Sequence, residues 1–169
     1  MSQAQVAVIM GSDSDYEVMK EAVSVLTEFG VETEVHALSA HRTPDLVAEF
    51  AKGARDRGIQ VIIAGAGGAA HLAGVVAAHT TLPVIGVPIS ATSLNGMDSL
   101  LSTVQMPPGI PVATVAVGKW GARNAGILAA QMMALGNSGL ASKLVKFKKD
   151  MAEKVREKNE KLQKQAANS

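Results

Sequence analysis

The sequence predicts an α/β fold, a three-layer αβα sandwich on a five-stranded parallel sheet, and three observations carry that prediction. Short β-branched apolar runs alternate five times with stretches of helical spacing, the pattern of parallel strands joined by helical crossovers. Between Gly58 and Gly118 the only Asp, Glu, Lys or Arg is Asp98, so the strands there read as the centre of a sheet buried on both faces. The segments GSDSD, SAHRTPD, GAGGAAH, PISATSLNG and GKWGARN each follow a strand and precede a helix. In open α/β sheets that carboxyl rim is where ligands bind, and helix N-termini there offer unpaired N–H groups to an anion.

Val6 to Met10 is the first strand. Met19, Ala22, Val23, Leu26 and Phe29 then recur at helical spacing, and Gly30 closes that helix as a C-cap. Val31 to Ala37 alternates Val31, Thr33, Val35 and Ala37 against Glu32, Glu34 and His36, which predicts an edge strand with one wet face. Thr43 is placed to cap a second helix with Pro44 at its first position, running to Gly58. Gln60 to Ala64 is the third strand, and Gly65 to His71 leads into a small-residue helix ending near Thr80. Val84 to Val87 and Ala113 to Val117 are the fourth and fifth strands, with a helix near Ser99 to Gln105 between them. Two helices follow, about Gly121 to Leu135 and Leu140 to Lys164, completing a flavodoxin-like arrangement with a long C-terminal helix.

Leu144, Phe147, Met151, Val155 and Leu162 lie near one stripe of that last helix. At 1.5 Å per residue its roughly 25 residues span about 37 Å, more than a domain of this size covers. Residues 1–137 are therefore expected to form the α/β domain, and 138–169 an amphipathic helix that packs on a neighbouring subunit.

Composition narrows the function. The 169 residues contain no cysteine, which removes a disulfide framework, a thiolate zinc site and a cysteine nucleophile, and suits a reducing cytoplasm. Five aromatic residues make a poor stacking platform for single-stranded nucleic acid. From Gly139 onward there are nine basic and four acidic residues, leaving seven and eleven in the body, so a nucleic-acid footprint would have to sit on the tail alone. Glycines and prolines interrupt the uncharged stretch before any block of about 20 apolar residues builds up, so no membrane span is expected. MSQAQVAVIMGS has no basic n-region and no cleavage pattern, so no export signal is expected either.

Several ligand classes fail on their residues. GAGGAA from Gly65 matches a dinucleotide fingerprint, but no Asp or Glu follows before Met97 to hold a ribose. A phosphate-cradling GxxxxGK[ST] is absent. A receiver-like module would find acids at Asp13 and Asp15 and a lysine at Lys119, yet the third strand ends without an acceptor aspartate. Four scattered histidines and no paired acids on one helix face argue against a catalytic metal. His41 is the leading candidate, because it stands on a rim loop beside Arg42 and imidazole exchanges protons near neutral pH; the other reading is a loop histidine bonded to backbone. Arg42 has the geometry of a bidentate phosphate clamp, with Lys119 and Arg123 the remaining rim cations, although each also reads as a surface charge. Ser12 and Asp15 fit either ligand hydroxyls or a helix cap, and His71 fits either the site or the start of a helix. His36 and His79 read as structural.

MGSDSD, SAHRTPD, AGAGGAAHL, PVIGVP and SLNGMDSLLSTVQMPPGIPVATVAVGKWGARNA together resemble the bacterial 5-(carboxyamino)imidazole ribonucleotide mutases, over about Val6 to Leu135. The related carbon-dioxide-using carboxylases share a SAHR-like segment but differ after the third strand, so GAGGAAHL favours the mutases. The resemblance implies a catalytic domain that runs a cofactor-free isomerisation in de novo purine biosynthesis, moving a carboxylate from the exocyclic amine of an imidazole ribonucleotide to a ring carbon. It makes His41 the proton shuttle. The implied substrate-binding residues are Gly11, Ser12, Ser14, Asp15, Ser39, Ala40, Arg42, Ala66, Gly67, Gly68, His71 and Leu72, with the 66–72 stretch lining the base and carbon dioxide pocket. It further implies a homo-octamer, and composition adds the expectation of a cytoplasmic protein without metal, nucleic acid or membrane partner. The alternatives are a carboxylase using carbon dioxide and a non-enzymatic phosphate-ligand binding module. Ala73 departs from the family, which more often has proline there. The small residues of 65–72 are also expected to let backbone close tightly on the ligand and exclude water.

Overall fold

A computed structural model describes residues 3–168. In chain order the elements are β1 (Val6–Met10), a 3-10 turn (Asp13–Asp15), α1 (Tyr16–Phe29), β2 (Thr33–Ala37), α2 (Pro44–Gly53), β3 (Val61–Gly67), α3 (Leu72–His79), β4 (Val84–Ile89), α4 (Met97–Val104), β5 (Ala113–Thr114), α5 (Lys119–Ala134) and α6 (Ser138–Ala167). The five strands form one parallel sheet in the order β2-β1-β3-β4-β5. The predicted three-layer α/β architecture with a long last helix is therefore present.

The central strands explain the uncharged stretch. Every residue of β1 and β4 is buried, as are the first five of β3. Period-two alternation sends Ala7, Ile9, Ile62 and Ala64 to one face, where they pack with Val47 and Ala51 of α2 and Leu72, Ala73 and Val76 of α3. Val6, Val8, Val61 and Ile63 take the opposite face. There Met10 pairs in register with Gly65, and a Cβ added to Gly65 would meet the buried Met19 of α1. On α5, Gly126 stands against Val25 and the Ala22 carbonyl, where a methyl group would be 2.9 Å from that oxygen. Small residues thus do what few aromatics cannot: they bring backbones close enough to fill the interior.

Several boundaries differ from the sequence reading. Regular α2 ends at Gly53 rather than Gly58; the chain then winds through turns to Gly58, whose φ of +85° reverses it. β3 continues through Gly67 and β4 through Ile89, so half of the glycine segment is strand. β5 keeps only Ala113 and Thr114, although Val115 and Gly118 still donate to Gly86 and Pro88 of β4 at 3.1 and 2.9 Å. β2 is an edge strand as expected, paired with β1, but both its faces are wet: Val35 and His36 are exposed alike. Thr43 stands at the N-cap of α2, yet its hydroxyl turns back to bond Ser39 instead of the helix.

The chain divides into two compact units, one ending at Ala130 and one beginning at Gln131. The second holds α6, 30 residues long, whose start is capped by the Asn137 side chain accepting from Leu140 N. Among the described residues no helix is long and apolar enough to cross a membrane.

Candidate functional site

Three strand ends build one cavity. After β1 the chain turns sharply at Gly11, whose N–H donates to the Gly65 carbonyl at 3.1 Å and so fastens the first rim loop to the end of β3. Ser12 then closes the 3-10 turn, accepting from Ser14 N and from the Ser14 hydroxyl. Its capping reading is thus realised, while the residue still lines the cavity. Asp15 makes no capping bond with its side chain. Burial pushes its carboxyl above the ordinary range; a bond from the Ser12 backbone opposes this, and the neighbouring Asp13 charge adds to it.

The second loop is held by its own side chains. The Ser39 hydroxyl accepts from Arg42 N at 3.2 Å and from Arg42 Nε at 3.3 Å, and Arg42 Nη2 donates to the Gly11 carbonyl at 3.2 Å. One guanidinium therefore ties the SAHR turn to the first rim loop and stays at the cavity wall as its cation. His41, between Ala40 and Arg42, extends its Nε2 to within 2.7 Å of His71 Nδ1, the two rings standing edge to face at 80° with centroids 4.9 Å apart.

The third contribution comes from β3 and the start of α3. Ala66 and Gly67 end the strand, and Gly68 takes the left-handed φ of +64° that turns the chain. Ala70 N is satisfied by the Ser102 hydroxyl of α4, His71 occupies the N-cap of α3, and buried Leu72 opens the helix. Gly11, Ser12, Ser14, Asp15, Ser39, Ala40, His41, Arg42, Ala66, Gly67, His71 and Leu72 all face one cavity of about 460 Å³. That volume suits a small metabolite. Of the expected 66–72 stretch, Gly68 and Ala70 do not line the cavity: Gly68 makes the turn, and Ala70 is tied to the Ser102 hydroxyl. Ala69 lines the cavity as part of the expected 66–72 stretch, whereas Ala91 lines it and was not expected. Ala91 lies inside PISATSLNG, so its segment was legible and its side chain, being a methyl group, was not.

The expected close approach at Gly67 is real but has a different cause. A Cβ there would be 2.5 Å from Ala91 Cβ and 3.1 Å from the Ile89 carbonyl, so the glycine accommodates the chain's own loop after β4. Of the other rim cations, Arg123 is engaged with Glu28 at 3.0 Å, and Lys119 does not line the cavity. His36 rests against Phe50 and 3.7 Å from Glu34, and His79 lies in the last turn of α3. Among the described residues no group of three or more His, Asp or Glu side chains is placed to hold a metal ion.

A parallel α/β sheet with a polar, imidazole-bearing cavity at the carboxyl ends of its first three strands defines a small-molecule enzyme of the doubly wound class. The chain belongs to the AIR carboxylase family, whose model matches residues 5–154. It is 56% identical over 160 residues to the N5-carboxyaminoimidazole ribonucleotide mutase of Bacillus subtilis, covering 95% of this chain and 99% of that protein. Identity to the protein of the same name from Thermotoga maritima is 55%, covering 94% and 92% of the two chains. The crystal structure of Treponema denticola PurE superposes with a TM-score of 0.84 at 30% identity, covering 94% of this chain and 98% of that one.

Proposed function

We propose that this chain is an isomerase of purine biosynthesis that converts N5-carboxyaminoimidazole ribonucleotide to 4-carboxy-5-aminoimidazole ribonucleotide. The observation that carries the reading is the SAHR turn, which sets a proton-exchanging imidazole and an anion-binding guanidinium side by side on one cavity. The mutases named above, more than half identical along nearly the whole chain, support it.

The mechanism follows from which bonds must break. His41 gives a proton to the exocyclic nitrogen as its bond to the carboxylate carbon cleaves, releasing carbon dioxide beside the neutral amine. The ring carbon then attacks that carbon dioxide, and His41 takes back the proton which the carbon loses. Substrate and product are isomers, so no other reactant is consumed. In this reading Arg42 and Ser39 hold the phosphate, Ser12, Ser14 and Asp15 address the phosphate and ribose from the first rim loop, and Ala66 to Leu72 wall the base and the trapped carbon dioxide.

We further propose that the protein works in the cytoplasm as a homo-octamer, with residues 1–137 as the catalytic domain and the helix from 138 packing on a neighbouring subunit. Leu94, Met97, Leu101 and Val104 expose half or so of their surface along α4 and the loop before it, as do Val155 and Leu162 on α6. Apolar stripes of this kind mark contact with another chain. Sedimentation velocity of the purified protein should give a single species near eight chains; a monomer would refute the assembly.

The activity test offers the protein carboxyaminoimidazole ribonucleotide without bicarbonate, or aminoimidazole ribonucleotide with bicarbonate, and follows the ring-carboxylated product. Fast turnover of the first at low enzyme is the expected result, with kcat falling about 10²- to 10⁴-fold in His41→Asn. Turnover only of the second would make the protein a carboxylase, and turnover of neither would leave a phosphate-ligand binding module.

A further inference from the structure

We propose that His71 is the positioning residue of His41 and the store for its proton between the two halves of the reaction. The inference rests on the mutase reading. His41 Nε2 and His71 Nδ1 are 2.7 Å apart, a distance that requires one nitrogen to carry the proton and the other to offer a lone pair. Both rings hang from fixed backbone. Arg42 and Ser39 brace the turn of His41, while His71 N donates to Ala69 O at 2.8 Å and Val75 N to His71 O at 3.0 Å.

This contact occupies Nε2 of His41, so Nδ1 is the nitrogen left for the substrate. The relay requires the pair to hold one proton more than two neutral rings, stored on His71. His41 passes its Nδ1 proton to the departing nitrogen and receives the His71 Nδ1 proton on Nε2. Both rings are then neutral, and Nδ1 of His41 has become a base. When the ring carbon has captured carbon dioxide, its proton goes to His41 Nδ1 and the Nε2 proton returns to His71. One shift along one hydrogen bond thus changes His41 from donor to acceptor and back while His41 itself stays neutral, whereas a single imidazole doing both steps would have to carry the positive charge itself.

The test uses full-length protein with 15N-labelled histidine and reads the His41 tautomer from long-range proton–nitrogen correlations without substrate, alongside kcat and KM. In His71→Ala the His41 nitrogen shifts should move to those of a solvent-exposed tautomer mixture, and kcat should fall about tenfold or more, by a larger factor than any rise in KM. His71→Asn supplies an amide that can bond Nε2 but cannot carry the relayed proton, so it should return the His41 shifts towards wild type while kcat stays low; it also serves if the alanine variant misfolds. Unchanged His41 shifts in both variants, kcat within twofold of wild type, or a rise in KM alone would overturn the proposal. Wild-type protein that turns over neither substrate would refute the mutase reading instead, and the nitrogen shifts would still decide whether His71 governs the His41 ring.

Discussion

Gly67→Ala tests the packing that shapes the cavity, and its effect can be worked from distances. The new methyl group would lie 2.5 Å from Ala91 Cβ and 3.1 Å from the Ile89 carbonyl, against an ordinary separation of about 3.5–4.0 Å between carbons. The loop after β4 must therefore retreat by about 1 Å, and neither neighbour is a flexible side-chain end that could swing aside. Overpacking of this kind costs about 1–3 kcal/mol, offset by about 0.4–1 kcal/mol from the stiffer unfolded chain. A net loss of about 1–2 kcal/mol is expected from urea unfolding at fixed protein concentration. Ala91→Gly removes the partner methyl group, so the double variant should be about 1–2 kcal/mol more stable than the two single losses predict. Because Ala91 lines the cavity, product formation should fall in Gly67→Ala and recover in the double variant. A loss below about 0.5 kcal/mol, or an additive cycle, would refute the assignment of this glycine to loop packing.

Three further outcomes follow from the site and its surroundings. Arg42→Lys cannot reproduce the fork to the Ser39 hydroxyl and the Gly11 carbonyl, and it should raise KM about ten- to hundredfold with a smaller change in kcat, read from initial rates. Asp15 has its folded pKa raised above an ordinary value near 3.8, so the stability it contributes is complete below that pH and is lost as pH rises through the folded value. Asp15→Asn should therefore raise the urea midpoint at pH 7 and not at pH 3, while raising KM. Asp98 shows the opposite sign: the Thr92 hydroxyl, 2.6 Å away, holds its carboxylate below the ordinary range. Its contribution is present above pH 3.8 and lost as pH falls through the folded value, so Asp98→Asn should lower the midpoint at pH 7 and converge with wild type in acid.

How far the sequence carried the reading depends on what kind of physical information each residue needed. β1, α1 and the Gly30 cap were legible because burial period and a left-handed glycine are local properties, and Gly30 does take φ +74°. The end of α2 was not, since Gly53 to Gly58 keeps helical composition while the turn at Gly58 is settled by Ile59 bonding back to Ala54. The extension of β3 through Gly67 was hidden too, because glycines read as loop unless the neighbouring strand is known, and it is β4 that pairs with Ala66 and Gly67.

The site divides in the same way. Its rim segments were legible because each is polar or glycine-rich, follows a strand and lies in a chain whose middle is otherwise uncharged, which singled out Ser12, Asp15, His41, Arg42 and His71; the remaining site residues were named only through the family resemblance. Their partners were not legible. The SAHR turn looks self-contained in sequence, yet Arg42 reaches Gly11 from 31 positions away, and His41 meets His71 from 30 positions away. Gly67 shows the limit most clearly: the sequence marks a place with no side chain, but only the fold says whether ligand or protein fills the space. Here protein fills it, through Ala91. The cavity's tight wall is therefore a consequence of the β4 loop closing on β3, and a change in that loop should reach the chemistry without altering any residue that exchanges a proton.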